Sequence, residues 1–201
     1  MSMSVEQFLS LSDAEQLQTI KDLNDIGQEE IIIDVLTGVG IDNLSVPLLG
    51  ELGRAYNNND KPEEAIKVFK TIDTEHRDAV WHYRCAYSHG SIASTNHEAY
   101  TSENMQQMLA LVDNGVRLAT KENRNDIKEY CFEVMDMCRL QMDFEKCEVD
   151  YPDLCLNYSK YIAEKKKKRE GVPRHRTITI EEIQATDDMW TINEPAYWTI
   201  N

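Results

Sequence analysis

Three side chains in one short stretch have the types and spacing to hold a metal ion. His82, Cys85 and His89 are three and four residues apart, so on an α-helix they share a face, and two imidazoles with one thiolate form a zinc-compatible donor set. Cys131 and Cys138, seven apart, would also share a helical face. A nucleophilic thiol needs a base or cation beside it to release the thiolate, and no histidine is close to either in sequence. There is no Gly-x-Ser-x-Gly elbow for serine hydrolysis. The glycines at 27, 38 and 40 are not followed by the Gly-Lys-Ser/Thr of a phosphate loop. Carboxylates are plentiful, but without a pocket they single out no acid or base. The expectation is a protein that is not an enzyme and that uses no cofactor and no metal.

The five cysteines, Cys85, Cys131, Cys138, Cys147 and Cys155, are odd in number and contain no Cys-x-x-Cys pair. That favours free thiols over a disulfide framework or a cysteine zinc knuckle. In a chain of 201 residues, 21 Lys and Arg stand against 36 Asp and Glu, a formal charge of −15. This length suits one domain with a small appendage. So acidic a surface opposes direct binding to a nucleic-acid backbone, which depends on Lys and Arg displacing counterions. It favours a basic protein partner through long-range steering, although the same charge also serves plain solubility. No stretch approaches the roughly 20 apolar residues of a membrane span. Residues 1–7 lack a basic region followed by an apolar stretch, so a cytoplasmic location is expected.

The elements that would carry these side chains read as helices. Ser12 followed by Glu15 marks a helix start, and Leu17, Ile20, Leu23 and Ile26 recur at helical spacing until Gly27. Ile31–Leu36 forms the next apolar segment, broken at Gly38-Val39-Gly40. From Val46, Leu49, Leu52, Gly53 and Tyr56 mark one helical face, and Asn57-Asn58-Asn59-Asp60 supplies a turn. Asp60 is then expected to cap a helix with Pro62 in its first position and Ala65, Ile66 and Phe69 on its buried face. Later helices are expected over 80–90, from about 104 to 118, and in a hairpin from 125 to about 163. In that hairpin Tyr130, Val134, Met137 and Leu140 share a face and Pro152 opens the last helix.

The segment from Val46 resembles a tetratricopeptide repeat. Leu52, Gly53, Tyr56, Ala65 and Phe69 occupy positions seven, eight, eleven, twenty and twenty-four of that pattern. A second unit follows 33 residues on, where Cys85, Ala86 and His89 take the places of Leu52, Gly53 and Tyr56, and its second helix departs from the pattern. In this alignment His82, Cys85 and His89 are packing positions, which favours a core role over metal binding. The implied fold is all-α: antiparallel helical hairpins stacked over residues 1–163 as a short TPR-like solenoid. A basic linker or helix end follows at 164–176, with Lys165–Arg169 complementing the carbonyls of a last helical turn. The tail at 177–201 is short and non-helical or β-like.

The resemblance also implies a groove lined by the first helix of each hairpin. Its positions map to Pro47, Gly50, Arg54, Asn57 and Asn58, and to Val80, Tyr83, Tyr87, Gly90 and Ser91. Arg54, Asn57 and Asn58 would clamp a peptide backbone or carboxylate, and Tyr83 and Tyr87 would serve as aromatic anchors. Against that, the asparagines could serve the turn and Arg54 could pair with Glu51. The second unit lacks the Lys and Asn of the family's usual carboxylate clamp.

The tail repeats itself, with Trp190-Thr191-Ile192-Asn193 echoed by Trp198-Thr199-Ile200-Asn201. Thr177–Ile180 alternates like a short strand. Residues 188–199 resemble the opening of an acidic domain family that includes bacterial DNA-mimic proteins. Trp190 and Trp198 would mediate a tail interaction, in the groove or with a second copy as a dimer. The expected function is a non-catalytic scaffold for a protein or peptide partner of basic character. The alternative is an acidic inhibitor or decoy, a nucleic-acid mimic or immunity-type protein.

Overall fold

A computed structural model of the chain describes residues 3–95 and 102–170. Every regular element among them is helical: α1 Val5–Leu9, α2 Asp13–Asp25, α3 Glu29–Val39, α4 Val46–Asn58, α5 Pro62–Thr71, α6 Ala79–Thr95, α7 Ser102–Lys121, α8 Asn125–Met137, α9 Phe144–Asp150 and α10 Pro152–Glu170. Single 3-10 turns at Ile41–Asn43 and Thr74–His76 precede α4 and α6.

Local chemistry sets the helix ends. Ser4 with Gln7, and Ser12 with Glu15, form reciprocal capping boxes at α1 and α2. The Ser12 hydrogen bonds hold the Glu15 carboxyl below its ordinary range. Gly27 and Gly40 end α2 and α3 with positive φ. The expected break begins earlier, at Gly38, yet α3 runs through it to Val39. A Cβ at Gly38 would run into the Val5 side chain, so this glycine serves the approach of α1 rather than a turn. Asp60 does not cap α5. It takes a left-handed conformation within the turn, and Lys61 flanks the helix start without a side-chain capping bond.

Helices pair along the chain as α2 with α3, α4 with α5 and α6 with α7, and each pair leans on the next through α3–α4, α5–α6 and α7–α8. Alternate helices touch as well: α2 meets α4, α4 meets α6 and α6 meets α8. Those four form a continuous row. The N-terminal core runs through Phe8, Ile20, Ile32, Leu36, Leu52 and Phe69, all fully buried. Each such side chain contributes about 1.5–3 kcal/mol of burial. Gly53 lies under the Phe69 ring, which a Cβ would overlap, so the small residue lets α4 and α5 close on each other.

Further along, α6 extends to Thr95, beyond the polar break expected from Ser91, and Ala86 is fully buried. Rings of Phe132, Phe144, Tyr158 and Tyr161 pack together at centroid distances of 5.2–6.4 Å where α8, α9 and α10 meet. Leu140, expected to continue the helical face of Tyr130, Val134 and Met137, is 96% exposed, because α8 ends at Met137 and Leu140 falls in the turn that follows. The chain divides into compact units at 1–161 and 162–201. Of the second, the described part is the last turns of α10, which carry the Lys165–Arg169 run. The expected strand at 177–180 and the tail tryptophans Trp190 and Trp198 lie outside the described residues.

Candidate binding groove

The row of alternate helices frames a groove of about 830 Å³ within the first unit. From α4 come Pro47, Gly50, Arg54 and Asn57, whose spacing of three, four and three keeps them on one face. From α6 come Val80, Tyr83, Arg84 and Tyr87, and from α8 Ile127 and Tyr130. Leu17 and Lys21 of α2 line it as well.

The charges of this groove are largely balanced within the chain. Glu51 is only 5% exposed, and its carboxylate accepts from Arg84 Nη2 at 3.0 Å and Asn24 Nδ2 at 2.9 Å. Arg54 Nη1 lies 3.5 Å from the same carboxylate, and Arg54 Nη2 donates to Asp25 at 2.9 Å. Arg84 Nη1 donates to the Gly50 carbonyl at 2.9 Å, while Asn57 Nδ2 donates to the Arg84 carbonyl at 3.0 Å. Ser88 Oγ then donates to Asn57 Oδ1 at 2.7 Å. A ladder of polar contacts thus joins α2 to α4 and α4 to α6. A carboxylate this deep requires such pairing, because an uncompensated buried charge costs several kcal/mol.

Each of the three polar candidates has a partner within the chain. Arg54 is held by Asp25 and Glu51. Asn57 reaches across to α6 rather than serving its own turn. Asn58 is exposed and lies at the rim, with Nδ2 3.4 Å from Glu29 Oε1. The aromatic candidates have different surroundings. Tyr83 stacks on Tyr130 with centroids 5.3 Å apart and ring planes 27° from parallel, and burial pushes its hydroxyl above the usual range. Tyr87 sits one turn further along α6. Gly90 and Ser91 do not line the groove. Gly90 instead faces α8, where a Cβ would come within 2.8 Å of Met137.

His82, Cys85 and His89 do not converge on a common point. His82 Nδ1 donates to the Asp78 carbonyl at 2.9 Å and its ring stands edge-on to Trp81. Cys85 is buried in the core, which pushes its thiol up to about 12. His89 Nδ1 pairs with Asn104 Oδ1 at 2.9 Å, and burial lowers its pKa. Among the described residues no group of three or more His, Cys, Asp or Glu is placed to hold a metal ion. Burial also raises Cys131 to about 12 and Cys138 to about 11, so neither is a ready thiolate near neutral pH.

Glu51, Arg84 and Tyr130 were missed as groove residues. One signal was available, since Arg84 follows Glu51 by the same 33 residues that separate the two units. The two side chains lie on α4 and α6, which touch, and carry opposite charge. Tyr130 had no such signal, because helical spacing marked it only as one of four residues on a shared face. Comparison of the chain with protein-family models, with curated proteins and with solved structures finds no match.

Proposed function

We propose that residues 1–163 are a TPR-like helical scaffold, without catalysis, whose groove takes a protein or peptide segment. The observation that carries this reading is the groove itself, which receives side chains from α2, α4, α6 and α8 in succession. A groove shared by alternate helices is what a stack of hairpins provides. Its arginines are already engaged: Arg54 with Asp25, Arg84 with Glu51 and Arg124 with Asp126. The ligand is therefore recognised chiefly through Tyr83, Tyr87 and Tyr130, with little call on ionic contacts. A basic partner suits the acidic exterior rather than the groove.

The test is selection of peptides from a random display library against the full chain, followed by affinity measurement on Tyr87→Ala and Tyr83→Ala. Anchors of this kind cost about 1–2 kcal/mol on truncation, or roughly tenfold in affinity. Peptides that bind both variants as tightly as the parent would overturn the groove assignment.

A second reading is an acidic decoy that captures a basic protein on its outer surface. The charge of −15 favours it, because a groove with balanced charges leaves the excess of carboxylates elsewhere. Such binding weakens steeply as salt rises. A basic protein held equally well at low and high ionic strength would rule the decoy out.

A further inference from the structure

Two of the five cysteines meet. Cys147 in α9 and Cys155 in the first turn of α10 are both buried, with their Sγ atoms 2.8 Å apart. They flank the Tyr151–Pro152 corner at which one helix stops and the next begins. The other three thiols have different neighbours. Cys85 belongs to the N-terminal core, Cys131 lies against Gly115, and Cys138 Sγ donates to the Gly90 carbonyl at 3.5 Å.

We propose that Cys147 and Cys155 form a thiol–disulfide exchange site that reacts with low-molecular-weight disulfides and closes to an intramolecular disulfide across the α9–α10 corner. The chemistry balances with oxidised glutathione as co-reactant. The thiolate of one cysteine attacks a glutathione sulfur, forms a mixed disulfide and expels one glutathione thiolate. The second cysteine then attacks its neighbour's sulfur and expels the other. Two protein thiols are oxidised, the small disulfide is reduced to two thiols, and the two protons leave with them.

Geometry favours the second step. With the sulfurs already in contact it is intramolecular and well oriented, which corresponds to a very high effective concentration. The first step is slow. Burial, reinforced by the hydrogen bond with Cys155, raises the Cys147 thiol above its ordinary range. Attack therefore waits on opening of the seven-residue α9. Selectivity comes from proximity rather than exposure: an isolated thiol stops at a mixed disulfide that ambient thiols reverse, and the pair goes on to closure. The disulfide would tie α9 to α10, whose Tyr158 and Tyr161 rings pack on Phe132 of α8.

The full chain is incubated over a series of reduced-to-oxidised glutathione ratios, quenched with acid, unfolded, alkylated and analysed by intact mass and peptide mapping. The expected product lacks two alkyl groups and yields a peptide linking Cys147 to Cys155, while Cys85, Cys131 and Cys138 are alkylated. Its rate should rise about tenfold per pH unit below the thiol pKa. Cys147→Ser should retain glutathione on Cys155. Five alkylated cysteines at every ratio, or oxidation shared among the other three, overturns the site; both readouts come from the parent chain and do not depend on the variant folding.

Discussion

The α4–α5 and α6–α7 pairs follow one another along the chain and close on themselves in different ways. In the first, helices of 13 and 10 residues close over a single glycine, with Phe69 lying across Gly53. In the second, helices of 17 and 20 residues meet where Gly115 of α7 lies against His82 and Tyr83 of α6, and the residue aligned with Gly53 is Ala86. The close approach at Gly53 is to one ring, whereas that at Gly115 is to two residues of α6 and to Cys131 of α8. What the two have in common is a glycine whose added Cβ would crowd the partner helix. The helix that supplies it differs.

The sharpest way to break this contrast is Phe69→Ala. Removing a fully buried ring costs about 3–5 kcal/mol, read as a lower denaturation midpoint of the full chain. If Leu109→Ala in α7 costs more, the idea of a concentrated contact in the first pair fails. Next comes the link between the pairs. Arg84→Leu leaves the buried Glu51 carboxylate short of a charged donor and should cost about 1.5–3 kcal/mol. In a double-mutant cycle with Glu51→Gln the two losses should not add, and additive losses would mean that the ladder is not a coupled unit.

A weaker effect distinguishes the second pair through His89, which stands where the first has Tyr56. Burial lowers its pKa from 6.5, while Asn104 and Glu103 raise it and Lys70 lowers it further. Folding thus favours the neutral ring. Its contribution is fully present above the unfolded value of 6.5 and is lost as pH falls through the lower folded value. The melting temperature should decline over that window, and His89→Gln should flatten the decline. Smallest of all, Leu140→Ser in the exposed turn after α8 should change stability by no more than about 0.5 kcal/mol. A loss above 1 kcal/mol would show that Leu140 is covered in solution.

Much of the fold was legible because its causes are local. Ser12 with Glu15, Gly27, and the run from Leu49 to Phe69 each encode a cap, a stop or a face within a few residues. Leu140 was misread because helical spacing carries on past Met137 in the sequence while the helix does not. The groove was legible in part. The repeat alignment brought Arg54, Asn57, Tyr83 and Tyr87 to one concavity, and the sequence offered Arg54 only the local partner Glu51 and Asn57 only its own turn. The partners it did not show, Asp25 for Arg54 and Ser88 for Asn57, come from neighbouring helices some thirty residues away. The Cys147–Cys155 contact was hidden for a related reason: it depends on the turn of the chain at Tyr151–Pro152 and follows no helical period.

The ladder from Asn24 through Glu51 and Arg84 to Ser88 also limits how this chain could grow. Repeat arrays commonly lengthen by copying a unit, which works when every unit presents the same face to the next. Here α4 offers a carboxylate where α6 offers a guanidinium. A duplicated α4–α5 pair placed before α6 would set one Glu51 against another and leave the first without Arg84.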